Sequence, residues 1–174
     1  MIKLNGIVIE QNHFPDNTLF IKPTVKHQLI NQFEWHYEND AELFTLICLR
    51  KHYDGAAHLT LPYVPHARMD RVKNDGDVFT LKYFAKFINS LNFEKVTVLD
   101  PHSYVSEALI DRIDVASPVP YIMSAMEECT PDMLFFPDEG AMKRLSSMFH
   151  TEYSFGIKKR DWATGKIEGL TVMN

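Results

Sequence analysis

Four short stretches of the chain concentrate side chains able to do chemistry. Arg68-Met69-Asp70-Arg71 places two guanidiniums around one carboxylate. Two such groups can grip a phosphate bidentately while Asp70 orients one of them. A solvated loop carrying a surface ion pair reads the same way. Asp100-Pro101-His102 sets a carboxylate beside an imidazole. Both are ligand types for a divalent cation or for acid–base work, and both also suit a capping aspartate and a backbone-satisfied histidine. Pro137-Asp138-Glu139-Gly140 offers an acidic group to magnesium or a ribose hydroxyl, or simply a helix cap. Lys158-Lys159-Arg160 opens a basic, turn-rich segment running to Lys166. It could close positive charge over phosphates, or form a charged hairpin in solvent.

Positioning these groups falls to alternating apolar extended runs and amphipathic helical runs. Gly6–Ile9 and Leu19–Ile21 flank Pro15-Asp16-Asn17 and predict a hairpin-like pair. Phe33–Tyr37 alternates as a strand does, and its aromatic residues belong to the core. Asn39-Asp40 can cap a helix whose stripe is Leu43, Phe44, Ile47 and Leu49, ending at Tyr53-Asp54-Gly55. Leu59–Leu61 is a short strand; Leu81, Phe84, Ala85, Ile88 and Leu91 mark a helix; Val96–Leu99 is a strand. Val105, Leu109 and Ile110 suggest a short helix, Met133–Phe136 a buried strand, Ala141–Phe149 a helix and Tyr153–Ile157 a strand. Met123 and Met126 read as core. This alternation predicts an α/β fold, a mostly parallel sheet flanked by helices. Ligands bind beyond the carboxyl ends of such strands. Three of the clusters fall there, which predicts one composite site.

Composition narrows the field. The chain has 174 residues, 18 Lys+Arg against 23 Asp+Glu and a net charge of −5, with 45% hydrophobic and 24% charged residues. Those are the proportions of a globular protein and exclude collagen, coiled coil and disorder. No apolar run reaches the ~18 residues of a membrane span, and the N-terminal residues lack a signal peptide's apolar stretch. The acidic balance argues against non-specific nucleic-acid binding. Two distant cysteines, Cys48 and Cys129, predict no disulfide framework and a reducing compartment, hence a cytoplasmic protein. The 8 histidines show no zinc-binding helix spacing and the cysteines no C-x-x-C pair.

Taken in order, the motifs resemble the ribose-phosphate pyrophosphokinases, or PRPP synthetases. Leu61–Arg71 is similar to that family's proline–tyrosine … alanine–arginine–glutamine–aspartate–arginine segment. Val96–His102 resembles its strand ending in aspartate–leucine–histidine, and Phe14–Thr18 its phenylalanine–serine–aspartate–glycine–glutamate loop. Phe136–Gly140 resembles a serine–proline–aspartate–x–glycine segment, and Ile157–Arg160 the start of the family's catalytic loop. The resemblance implies a phosphoribosyltransferase-like fold, with an N-terminal domain over residues 1–118 and the beginning of a second, incomplete one over 119–174. It implies transfer of a diphosphate from ATP to ribose 5-phosphate, with Mg2+, in a homo-oligomer. By position it makes Phe14, Asp16, Arg68 and Asp70 ATP-binding residues, with Phe14 and Asp16 holding adenine across a subunit interface. His102, Lys158 and Arg160 become catalytic, and His102 and Asp138 metal-binding.

Some positions depart from the family pattern. Thr18 stands in place of glutamate, Met69 of glutamine and Pro101 of leucine. The aspartate- and glycine-rich run that binds the ribose phosphate in the family does not occur, so the chain is expected to be a fragment, inactive alone. The alternatives are a diphosphotransferase for another 5-substituted ribose and a non-catalytic, nucleotide-binding or assembly subunit.

Overall fold

The computed structural model describes residues 1–161 and 167–173, with the backbone alone at Arg160. The chain divides into two compact units, Met1–Ser117 and Pro118–Asn174.

The first unit runs β1 (Ile2–Leu4), β2 (Ile7–Val8), β3 (Asn12–His13), β4 (Leu19–Phe20), β5 (Asn31–Trp35), α1 (Glu42–His52), β6 (Ala57–Leu61), α2 (Thr80–Ser90), β7 (Lys95–Leu99), α3 (Tyr104–Leu109) and β8 (Ile113–Ala116). Its main sheet has the order β2-β1-β5-β6-β7-β8. β5 to β8 are parallel, and β1 is antiparallel to both of its neighbours. The hairpins differ from the sequence expectation. Asn5 and Gly6 have φ of 49° and 81°, the geometry of a two-residue turn that favours Asn-Gly. Ile7-Val8 therefore folds back on β1, and Asn12-His13 is what pairs with Leu19-Phe20.

Successive parallel strands lie side by side and wind one way. Right-handed crossovers then place α1, α2 and α3 on one face of the sheet. Burial follows that asymmetry. Asn31, Phe33 and Trp35 of β5, Ala57, Leu59 and Leu61 of β6, and Val96 and Val98 of β7 are buried. The alternate residues Gln32, Glu34, His58, Thr60, Lys95 and Thr97 are half-buried or exposed. α2 buries its expected stripe, Leu81, Phe84, Ala85 and Ile88, each large side chain contributing about 1.5–3 kcal/mol. α1 is rotated from its expected phase: Leu46 and Leu49 are buried, whereas Phe44 is exposed.

Two charges anchor α1. Glu42 is 2% exposed. It accepts from the Trp35 indole at 2.9 Å and the Glu38 N–H at 2.8 Å, and pairs with the Met1 ammonium. Burial is the largest influence on its carboxyl and raises it, but these partners together hold it below the ordinary 4.5. Arg50 donates to the carbonyls of Tyr53, Gly55 and Asn92 at 3.0, 2.9 and 3.2 Å, joining the loops that precede β6 and β7.

The second unit contains α4 (Val119–Cys129), β9 (Leu134–Phe136), α5 (Glu139–Leu145), a 3-10 turn at Ser146–Met148, β10 (Tyr153–Arg160) and β11 (Ile167–Met173). Its sheet has the order β11-β10-β9, with β9 and β10 parallel and β10 and β11 antiparallel. Phe136, Ala141 and Phe149 form a small core, against which Ile122, Met126, Leu134, Leu145 and Phe155 pack. Met126 therefore meets the core expectation, while Met123 is exposed. No helix is long and apolar enough to cross a membrane among the described residues. Cys48 and Cys129 are free.

Candidate functional site

β6 and β7 are adjacent parallel strands, paired from His58 with Lys95 to Leu61 with Val98. The chain therefore delivers both following loops to the same sheet edge. Two residues there adopt left-handed backbone: His66 at φ 62° and Asp100 at φ 41°. Such conformations are sparsely populated outside glycine and persist where the surroundings enforce them. For His66 the surroundings are Asp40, whose carboxylate is 3.1 Å from its imidazole, and the rings of Tyr37 and Phe84.

Asp70 is the buried member of the first loop, 7% exposed. Its Oδ1 accepts from Arg71 Nε at 2.8 Å and its Oδ2 from Arg71 Nη2 at 3.2 Å. The Arg71 guanidinium foremost holds the Asp70 carboxyl below its ordinary value, against the burial that raises it, with Ser103 and His102 close by. The pair raises the Arg71 guanidinium in turn. Arg71, Asp70, Ser103 and His102 are thus one neighbourhood built from two strand ends. Arg68, Arg71 and His102 are exposed. The arrangement offers fixed cationic hydrogen-bond donors to a phosphate. Ser103 escaped the sequence reading, because nothing in a lone serine after His102 marks its closeness to a residue thirty-odd positions earlier.

Phe14 and Asp16 stand elsewhere, on the tip between β3 and β4. Phe14 stacks obliquely on Phe20 with ring centres 4.9 Å apart. Asp16 Oδ1 accepts from the Thr18 N–H at 3.0 Å and the Thr18 hydroxyl at 2.7 Å, and this hydroxyl foremost keeps the Asp16 carboxyl below its ordinary value. Thr18, the departure from the family pattern, thereby ties down the aspartate two residues before it.

In the second unit Asp138 caps α5, its Oδ1 accepting from the Ala141 N–H at 2.9 Å. Its Oδ2 accepts from Lys158 Nζ at 3.1 Å. Burial is the largest influence on this carboxyl and raises it, but the Ala141 N–H, Lys158 and Arg144 together hold it below its ordinary value. Asp138 and Lys158 meet because β9 and β10 run in parallel, bringing residues twenty positions apart to one strand end. The Arg160 side chain and Trp162–Lys166 lie outside the described residues. No group of three or more His, Cys, Asp or Glu side chains could hold a metal ion among the described residues.

No family model matches the chain. Curated relatives do. A ribose-phosphate pyrophosphokinase of Sulfolobus acidocaldarius is 29% identical over 112 residues, which is 62% of this chain and 38% of the relative. One of Saccharolobus solfataricus is 23% identical over 173 residues, 92% of this chain and 60% of the relative. The phosphoribosylpyrophosphate synthetase of Mycobacterium smegmatis shares the fold with a TM-score of 0.66 at 15% identity, over 96% of this chain and 58% of that one. The chain thus spans between 38% and 60% of the length of the relatives it matches.

Proposed function

The chain belongs to the ribose-phosphate pyrophosphokinase family, and on that premise we propose that it serves diphosphate transfer from ATP to ribose 5-phosphate. The observation that carries this reading is the braced Arg71–Asp70 pair beside Ser103 and His102 at two adjacent strand ends. In the reaction the anomeric oxygen bonds to the β-phosphorus as the bridge to the α-phosphorus breaks. AMP leaves with the bridging oxygen, and the hydroxyl proton passes to solvent. No protein nucleophile is required, so the protein's work is to position groups and stabilise charge.

In this reading Arg68, Asp70 and His102 belong to the ATP site, and Asp138 to the magnesium and ribose side. Lys158 and Arg160 stabilise charge on the transferred group. Magnesium brought in on the ATP phosphates would neutralise part of their charge. It needs only one or two protein carboxylates rather than a closed cage, and Asp138 would supply one. Asp138, partly exposed at 38%, pairs through its Oδ2 with Lys158, a side chain that can swing away. Exposed Phe14, on its projecting hairpin, is the surface we assign to adenine in a second copy of the chain. Free cysteines suit a cytoplasmic location.

The test is calorimetry of the chain with Mg2+–ATP, paired with an assay for PRPP. Weak nucleotide binding without turnover is expected, together with loss of binding and an unchanged melting temperature in His102→Ala, because His102 is exposed. Absence of nucleotide binding would refute the ATP site. Full PRPP formation would refute the expectation that the chain is incomplete as a catalyst.

A further inference from the structure

The geometry points to a latch: in the free chain Asp138 and Lys158 hold each other idle, and a ligand taken by either one releases its partner for the second ligand. This rests on the magnesium and phosphate roles given to the two residues above and deepens them with a coupling between the two. The contact is direct, Lys158 Nζ donating to Asp138 Oδ2 at 3.1 Å. Asp138 Oδ1 already accepts from the Ala141 N–H, so Lys158 sits on the oxygen that a hard cation would need. Lys158 in turn carries a carboxylate against its charge, and that carboxylate repels any phosphate brought alongside. A lysine ammonium is a point charge on a flexible stem. It can leave the carboxylate without moving the backbone.

Two further observations mark the contact as one that the fold builds. Lys158 and Lys159 are neighbours on β10, and successive residues of a strand point to opposite faces. The Lys159 side chain is 81% exposed and reaches Glu168 only at 3.6 Å, whereas that of Lys158 is 22% exposed. Gly156 shares the face of Lys158, two residues before it. A Cβ there would lie 2.6 Å from Leu170 Cδ1 and 3.0 Å from the Pro137 carbonyl oxygen. Glycine at 156 thus lets β10 run close against the residue that precedes Asp138, and Lys158 is delivered to the carboxylate. Coupling of two ligands through one pair is reciprocal, and a pair this exposed sets its size at about two- to fivefold.

The experiment titrates tripolyphosphate without metal, by calorimetry, and Mg2+ without phosphate, by NMR at the Ala141 amide. It uses the wild-type chain and four variants at about 0.15 M salt, where charges more than about 8 Å apart are screened. Asp138→Asn keeps the cap and releases Lys158, so tripolyphosphate should bind about two- to fivefold tighter. Glu139→Gln removes the same charge from the next residue, whose partner is Lys143 at 2.6 Å, and should leave that affinity nearly unchanged. Lys158→Met should tighten Mg2+ by a similar factor, and Lys159→Met should not. Weaker tripolyphosphate binding in Asp138→Asn would overturn the latch, since the carboxylate would then be presenting the lysine to the ligand. Unchanged binding there, or an equal gain in Glu139→Gln, would overturn it too. Asp138→Asn retains the helix cap, so its result is decisive even if Lys158→Met fails to fold. A chain that takes up only one of the two ligands in every form also overturns the latch. Uptake of neither ligand in any form refutes the magnesium and phosphate roles along with it; failure of the latch alone leaves both wild-type titrations intact.

Discussion

Asp138 allows structure and function to be separated by a single atom. Asp138→Asn retains an oxygen able to accept from the Ala141 N–H, whereas Asp138→Ala retains none. Asn and Asp are comparable caps, and replacing either by Ala costs about 0.5–2 kcal/mol. The Lys158 pair is partly exposed, its side chains at 22% and 38%, so its loss adds at most about 1 kcal/mol. Asp138→Ala is therefore expected to lose about 1–2 kcal/mol from the start of α5, and Asp138→Asn about 0.5 kcal/mol. Amide exchange at Ala141 reads this locally, since about 1.4 kcal/mol of lost protection corresponds to tenfold faster exchange. Roughly five- to thirtyfold acceleration is expected in the alanine variant and about twofold in the asparagine variant. Magnesium titration followed by NMR at Ala141 and Lys158 should shift both signals in the wild type and neither in Asp138→Asn. Equal acceleration in the two variants would show that the carboxylate's charge, not its cap, holds the helix start. An unaltered magnesium response in Asp138→Asn would remove Asp138 from the metal site.

Two further predictions concern the scaffold. Glu42→Gln keeps one side-chain acceptor for two N–H donors and takes the charge partner from an ammonium that is 36% exposed, a loss of about 1–3 kcal/mol. Thermal melts should show a drop of about 5–15 °C, the order expected for such a loss in a unit of this size. Because Glu42 is depressed in the fold, its contribution is complete above the ordinary 4.5 and fades as pH falls through the lower folded value. The variant's stability should accordingly fall less steeply in acid than the wild type's. Arg50→Met strands the carbonyls of Tyr53, Gly55 and Asn92. A loss of about 3 kcal/mol or more in urea unfolding is expected, and a loss below about 1 kcal/mol would mean that water replaces the guanidinium.

What the sequence could and could not disclose follows from which interactions are local. The stripe of α2 was legible because its apolar residues repeat at helical spacing with polar ones between. In α1, apolar residues Leu43, Phe44, Leu46, Ile47, Cys48 and Leu49 nearly encircle the helix. Periodicity then gives no phase, and the sheet's position selects Leu46 and Leu49. The first hairpin carries a signal of its own, Asn5-Gly6, which competes in the sequence with the proline turn ten residues later. α4 was hidden by Pro118 and Pro120, although proline is welcome in a helix's first turn. β8, an edge strand reading Ile-Asp-Val-Ala, is too short and mixed to stand out. At the site, Asp70 orienting an arginine was readable because the two are neighbours in the chain. The Asp138–Lys158 and Asp70–Ser103 relations depend on strands brought together only by folding.

One face of the first unit's sheet has a further consequence. Parallel sheets are ordinarily covered on both sides, and their strands read as nearly continuous apolar runs. Here β5 to β7 alternate, and the side opposite the helices carries Glu34, Thr60, Lys95 and Thr97. Ion pairs cross it, Lys3 with Glu34 at 3.1 Å and Lys95 with Asp114 at 2.7 Å, and the His36 ring hydrogen-bonds Glu34. A pleated surface of this kind, if apolar, would stack on another copy, as sheets do at about 10 Å spacing. The mixed charges favour its hydration and disfavour stacking of that kind. The half of the sheet that forms no core therefore acts as a guard on the chain's solubility.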